Sequence, residues 1–188
     1  MRLTRVLEYA RLWRRETFVR YAIVTVFVKL LPEFSAAPVV AHAYRLIGCR
    51  LGPFTCVSGP MRLIPGGGTF TNLRTGERVI VSTDVTINLD DVVHLHDNVA
   101  IGPRVAIYTS GHALGPGSRR MMPGVVSAPV EIGRGSWIGL GAVILPGVTV
   151  GPGSVVAAGS VVASDIPPNS YAIGNPAEVT RTLPWGDR

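Results

Sequence analysis

The 188-residue sequence has little cysteine: Cys49 and Cys56 are the only two. A lone pair seven positions apart offers at most one disulfide or half a metal site, and two idle thiols in a cytoplasmic protein are the expectation. Long hydrophobic runs are also missing. Tyr21 to Val28 is uncharged for only eight residues before Lys29, far short of the roughly twenty needed to cross a bilayer. No small-residue cleavage site follows, and Pro32 and Glu33 break the apolar stretch, so the segment is expected neither to span a membrane nor to direct export. An excess of either charge is absent from most of the chain: residues 51–188 hold nine basic and nine acidic residues. No nucleic-acid-binding signature is present, and no nucleic-acid partner is expected.

The composition that remains is 47% hydrophobic, with 22 glycines and 15 prolines. That is ample for one packed domain and favours many turns over a helical bundle. The whole net charge of +6 sits in residues 1–50, where nine Arg/Lys face three Glu. Leu3, Val6, Leu7, Ala10, Trp13 and Thr17 have the spacing of one helical face, with arginines opposite. Residues 1–45 are therefore read as a basic amphipathic helical segment. It lies either on an anionic membrane surface or against the end of the domain and between subunits, and both readings stand. If it is only a tether, residues 1–30 are dispensable for the chemistry.

A six-residue beat governs the rest. Ile132, Ile138, Ile144, Val150, Val156 and Val162 recur in register, and the position four further on is small or β-branched in each: Ser136, Ala142, Val148, Ser154, Ser160 and Ile166. An earlier run, offset by one, gives Leu89, Leu95, Ile101 and Ile107, and a weaker one gives Leu51, Val57 and Leu63. A period of six is neither a helical face nor a hairpin meander. It suits a coil of three short strands with tight turns, in which an aliphatic residue stacks over its equivalents eighteen positions away.

These [LIV]-G-x-x-x-x repeats resemble the hexapeptide-repeat acyltransferases. The stretch GSWIGLGAVILPGVTVGPGSVVAAGSVVASDIPPNSYAIGNPAEVTR, with its Gly174–Ala177 GNPA sequence, is similar to the maltose, galactoside and polysaccharide O-acetyltransferases. The resemblance implies an all-β solenoid, a left-handed parallel β-helix, over 46–178, followed by a C-terminal tail, 179–188. It also implies a homotrimer with sites between subunits, acetyl-CoA as co-substrate, and a sugar or glycoconjugate hydroxyl as acceptor. A cytoplasmic enzyme, peripheral at the inner membrane face, is the location expected.

The beat stops once. Ile132 follows Ile107 by 25 positions, one more than four beats, and the residues between, 109–129, form an extended loop containing TSGHALGPGSRR. A solenoid offers flat walls, so a pocket needs a loop standing off them. The resemblance places a catalytic histidine at its start, in a T-x-[TG]-H-x-L context, and that residue is His112. An imidazole, with an ordinary pKa near 6.5, is suited to take the acceptor's proton and return it to a departing thiolate.

Asp84, Asn88 and Asp90 stand one coil earlier and are the candidate acceptor-binding residues. In galactoside-type relatives an aspartate at the position of Asp90 holds sugar hydroxyls, whereas Ser82 replaces an upstream asparagine. Trp137, Gly139, Leu140, Ala158 and Gly159 fall on equivalent steps of successive coils, where small residues let a pantetheine arm approach the backbone. Arg181 matches a family position that reaches the nucleotide phosphates. Outward-facing His94 and His96 flank the inward Leu95 and are within reach of a shared metal. The Arg-Gly-Asp segment and second histidine pair of gamma carbonic anhydrases are missing, so no metal is expected. A metal-dependent β-helix enzyme of that type and a non-catalytic scaffold are the competing readings.

Overall fold

One inward aliphatic per six residues leaves room for strands of only two or three residues, and such strands are stable only when stacked. The computed structural model, which describes residues 16–34, 36–121, 124–184 and 186, shows that stacking. Two helices, α1 (Glu16–Lys29) and α2 (Ala37–Leu46), come first. The first coil follows as β1 (Cys56–Val57), β2 (Arg62–Ile64) and β3 (Leu73–Thr75), and the second as β4 (Ile80–Val81), β5 (Thr86–Asn88) and β6 (Val93–Leu95). In the third, β7 (Ala100–Ile101) and β8 (Ala106–Ile107) are separated from β11 (Val130–Ile132) by a hairpin of β9 (Ser110–Gly111) and β10 (Val126–Ser127). The fourth is β12 (Trp137–Ile138), β13 (Val143–Ile144) and β14 (Thr149–Val150), and the fifth holds β15 (Val155–Val156) and β16 (Val161–Val162). The sixth is β17 (Ser170–Gly174), closed by the antiparallel β18 (Ala177–Thr182). Strand β18 thus runs on through residues set apart as a tail in the sequence reading.

The result is a three-faced parallel solenoid of about six turns, in agreement with the left-handed β-helix expected. The first face is β1-β4-β7-β12-β15-β17, the second β2-β5-β8-β13-β16, and the third β3-β6-β11-β14. Ile132 pairs with Val150, Ile138 with Val156 and Ile144 with Val162, the eighteen-position stacking that the beat predicts. All six of these aliphatics have no exposed surface, and each contributes on the order of 1.5–3 kcal/mol by leaving water. The small residues fill the corners. Ser136 Oγ donates to the Gly151 carbonyl (2.9 Å) and accepts from Ser154 N–H (3.2 Å), and Ser154 Oγ in turn accepts from Ser170 N–H (3.1 Å).

One beat slips. The sequence put Leu89 on the column of Ile107, but the residue paired there is Ile87. The corner between β5 and β6 is wider than six residues allow, and Leu89 is buried as part of that corner.

Helix α2 closes the open end of the solenoid with buried Val40, Ala41, Ala43 and Tyr44. Tyr44 Oη accepts the Met61 N–H at 2.7 Å, and Tyr21 Oη of α1 accepts the Leu63 N–H at 2.9 Å, so both helices are pinned to the first coil. Val28 joins the core, whereas Val19, Ile23, Val26, Phe27 and Leu30 of α1 and its end stay exposed. The arginine-flanked face predicted from Leu3 to Trp13 lies outside the described residues. Among the described residues no helix is long and apolar enough to cross a membrane.

Candidate active site

Three successive corners between the second and third faces are longer than the beat permits: Leu63 to Thr75, Ile87 to Leu95, and Ile107 to Ile132. They stack on one edge. The first contains the Gly66–Gly68 run, the second Asn88 to Asp91, and the third the hairpin bearing His112. The irregularities of the sequence therefore collect in one place, where side chains stand free of the flat walls.

Asn88 ties the second corner to the third. It is buried, and its Oδ1 accepts from Thr109 Oγ1 (2.6 Å) and Ser110 Oγ (3.1 Å) while its Nδ2 donates to Asp90 Oδ2 (3.1 Å). Asp91 N–H donates to Thr109 Oγ1 (3.0 Å) from the other side. Asp90 draws in the first corner as well: its Oδ2 accepts from Ser110 Oγ (2.5 Å) and its Oδ1 from Gly67 N–H (2.6 Å). Burial pushes the Asp90 carboxyl up, but the donors from Ser110, Asn88 and the Gly67 and Gly68 N–H groups outweigh it and hold the group below the ordinary carboxylate value. A Cβ at Gly66 would collide with this carboxylate and one at Gly68 with the Leu89 carbonyl, so the glycines let the corner close on Asp90.

Strands β9 and β10 rise from this root. Val126 pairs with Gly111 and Ser127 with Ser110, and a further bridge joins Leu114 to Met121. The extended loop predicted from sequence is thus an antiparallel arm. His112 is exposed on it, with Nδ1 2.9 Å from the Gly124 carbonyl oxygen. A carbonyl only accepts, so Nδ1 is the donor in this contact, and in the neutral imidazole the lone pair is left on Nε2. Gly124 has φ +107°, a left-handed conformation that suits glycine.

Asp84 is not part of this cluster. It occupies the corner before β5, at φ +57°, and lines a cavity of about 500 Å³ with Tyr21, Lys29 and Arg62. Asn88 and Asp90 lie at the other end of the same strand.

The candidate cofactor residues collect on a different edge, between the first and second faces. Leu140 sits at the corner after β12, Ala158 and Gly159 at the corner after β15, and the Gly159 N–H donates to the Leu140 carbonyl (2.8 Å). Gly139 is required by stacking, because a Cβ there would come within 2.6 Å of the Ala158 nitrogen. Gly159 has φ +71° and open space where a side chain would be, and Ala158 is exposed, so this edge presents bare backbone. Trp137 is 56% exposed on the adjoining face. It lies in one lateral row with Val155, Tyr171 and Arg181, and the Arg181 guanidinium stacks 4.4 Å over the Tyr171 ring. A narrow, small-residue edge flanked by an indole and a cation fits an extended thioester arm with a phosphorylated end.

Sequence reasoning missed Thr109, Ser110, Gly67 and Gly124. The TSGH and PGGG runs were the available signals, yet nothing in them states that Ser110 meets Asp90 or that Gly124 meets His112.

The fold is a solenoid built on six-residue repeats. The sequence pattern of the bacterial transferase hexapeptide family (six repeats) matches residues 129–164. The chain is 47% identical to nodulation protein L of Rhizobium leguminosarum bv. viciae over 108 residues, which are 57% of this chain and 56% of that protein. It is 40% identical to galactoside O-acetyltransferase of Escherichia coli (strain K12) over 113 residues, 60% of this chain and 55% of that one. The matches thus span little more than half the length of these curated relatives. Among solved structures, a hexapeptide-repeat acetyltransferase of Vibrio cholerae in complex with acetyl coenzyme A superposes with a TM-score of 0.77 at 28% identity, over 89% of this chain and 87% of that one. A galactoside acetyltransferase in complex with coenzyme A gives a TM-score of 0.76 at 29% identity, over 90% and 82%.

Proposed function

We propose that the protein is an acetyl-CoA-dependent O-acetyltransferase acting on a hydroxyl of a sugar or glycoconjugate, with His112 as general base. The observation that carries this reading is the exposed His112 imidazole, held through Nδ1 on the Gly124 carbonyl, which leaves Nε2 for the acceptor. Similarity to galactoside O-acetyltransferase and to acetyltransferases solved with acetyl-CoA or CoA supports it.

The thioester supplies the acetyl group. His112 Nε2 takes the acceptor hydroxyl's proton as the oxygen bonds to the thioester carbonyl carbon. The same nitrogen returns that proton to the sulfur when the carbon–sulfur bond breaks, so the histidine ends as it began. The Asn88–Asp90–Ser110 network fixes the hairpin root and with it the position of His112.

His112 and the Leu140–Ala158–Gly159 edge stand on different edges of one chain. A complete site therefore takes the histidine from one subunit and the small-residue edge from another, which is the basis for proposing a homotrimer. We place the enzyme in the cytoplasm, with the exposed apolar residues of α1 and the basic residues before it against the inner membrane surface.

Thiol release from acetyl-CoA, followed across a panel of saccharide acceptors, tests the activity. His112→Ala is expected to lower the rate by about 10²-fold or more, with acetyl-CoA affinity changed by no more than about threefold, because the histidine stands off the small-residue edge. Near-wild-type turnover in this variant refutes the assignment.

A further inference from the structure

The third face carries a cluster that acetyl transfer does not use. On β6, Leu95 is fully buried, so His94 and His96 both project outward, and their rings lie 3.9 Å apart between centroids. Strand β11 sets Glu131 directly beside His94 in the parallel ladder. The Glu131 carboxylate reaches across to His96, with Oε2 2.8 Å from Nε2. One ligating atom from each of the three residues lies within 4.8 Å of the others. All three are half-buried and held on paired strands.

We infer that His94, His96 and Glu131 form a binding site for one divalent transition-metal cation, apart from the His112 hairpin. Two imidazoles and a carboxylate are a donor set for zinc, cobalt, nickel or copper, not for magnesium or calcium, which take oxygen ligands. Three protein ligands leave a coordination position open. It has somewhere to face: His96 and Glu131 also line a cleft of about 310 Å³, with Arg134 and Thr149 on its walls. The third donor, Glu131, is 35 positions from His96 in the sequence, so the spacing of the histidines does not disclose it.

The charges around the cluster do not all favour a cation. Arg74 is in register with His94 on its other side and opposes one, whereas Glu131 and Asp97 favour it. Burial, together with the neighbouring His96, holds the His94 imidazole below its ordinary value. Each imidazole must offer an unprotonated nitrogen to ligate, so affinity is expected to fall with falling pH.

Calorimetric titration of the full chain with zinc chloride at pH 7.5, repeated with cobalt for its visible spectrum, tests the site. One equivalent is expected to bind. Affinity should fall about tenfold or more in His96→Gln and in Glu131→Gln, and be retained in His112→Ala. Melting curves on each variant confirm that the fold is intact, as these surface positions predict. Absence of binding overturns the inference. So does binding that persists within about twofold in the His94→Gln/His96→Gln double variant, since the cation is then held elsewhere, at the cysteines or on the hairpin.

Discussion

Four donors hold the Asp90 carboxylate, which makes it a tie between three corners more than a free hand for a substrate. Asp90→Asn turns one acceptor oxygen into a donor facing donors. Leaving such groups unsatisfied costs about 1–3 kcal/mol, so both the melting temperature and the acetylation rate are expected to drop, and Ser110→Ala to follow in the same direction by less. An intact melt with only the acceptor KM raised would instead make Asp90 a direct contact of the acceptor. The same residue sets a pH dependence. Its folded pKa lies below the ordinary value, so the unfolded chain binds more protons; the stabilisation is present above about pH 4 and is lost as pH falls through the folded pKa. His94 is also lowered, by burial first, so its stabilisation is full above about pH 6.5 and declines on acidification below that. Urea midpoints across pH 7 to 3 should therefore fall in two steps. His94→Gln is expected to flatten the upper step and Asp90→Asn the lower. Cys49 adds nothing at these values, because burial pushes its thiol up to about 12.

Among the elements, the N-terminal helices bear on the two readings of the basic segment. Only if that segment is a tether alone can residues 1–30 be removed without effect. However, Tyr21 accepts the Leu63 N–H and Val28 is in the core, so α1 is part of the domain. Deleting residues 1–30 is therefore expected to destabilise the solenoid, whereas replacing Arg11, Arg14 and Arg15 should weaken binding to anionic vesicles by about 3 kcal/mol, near 1 kcal/mol each. Sedimentation with anionic and neutral vesicles separates the two effects, and a protein that ignores anionic vesicles removes the membrane reading. At the second helix, Tyr44→Phe strands the buried Met61 N–H and should cost about 1–3 kcal/mol in a denaturant titration. The strands were legible because a period of six forces inward aliphatics, and those from Ile132 to Val162 are all buried. The hairpin was legible only as an interruption. Its pairing, and the Ile87 slip, depend on corner lengths that periodicity does not encode.

At the scale of the molecule, the solenoid gathers its irregular corners on one edge and its bare backbone on another. His112 is proposed from the break in the beat and from resemblance. The partners of Asp90 and His96 are not legible in this way, since Gly67 lies 23 positions from the first and Glu131 35 from the second, across coils of unequal length. The two-edge arrangement carries the central claim, that acetyl transfer takes place between copies of the chain, with His112 from one and the Ala158 edge from the next. The most direct measurement is complementation between two inactive variants, His112→Ala and Ala158→Trp, the latter filling the proposed thioester path. Each alone is expected to be inactive. Mixed through unfolding and reassembly in equal amounts, they should regain about a quarter of the wild-type rate, because random assembly joins an intact histidine to an intact edge at about one interface in four. If the mixture stays inactive while mixed oligomers form, both sets of residues serve one chain's own site and the claim is wrong.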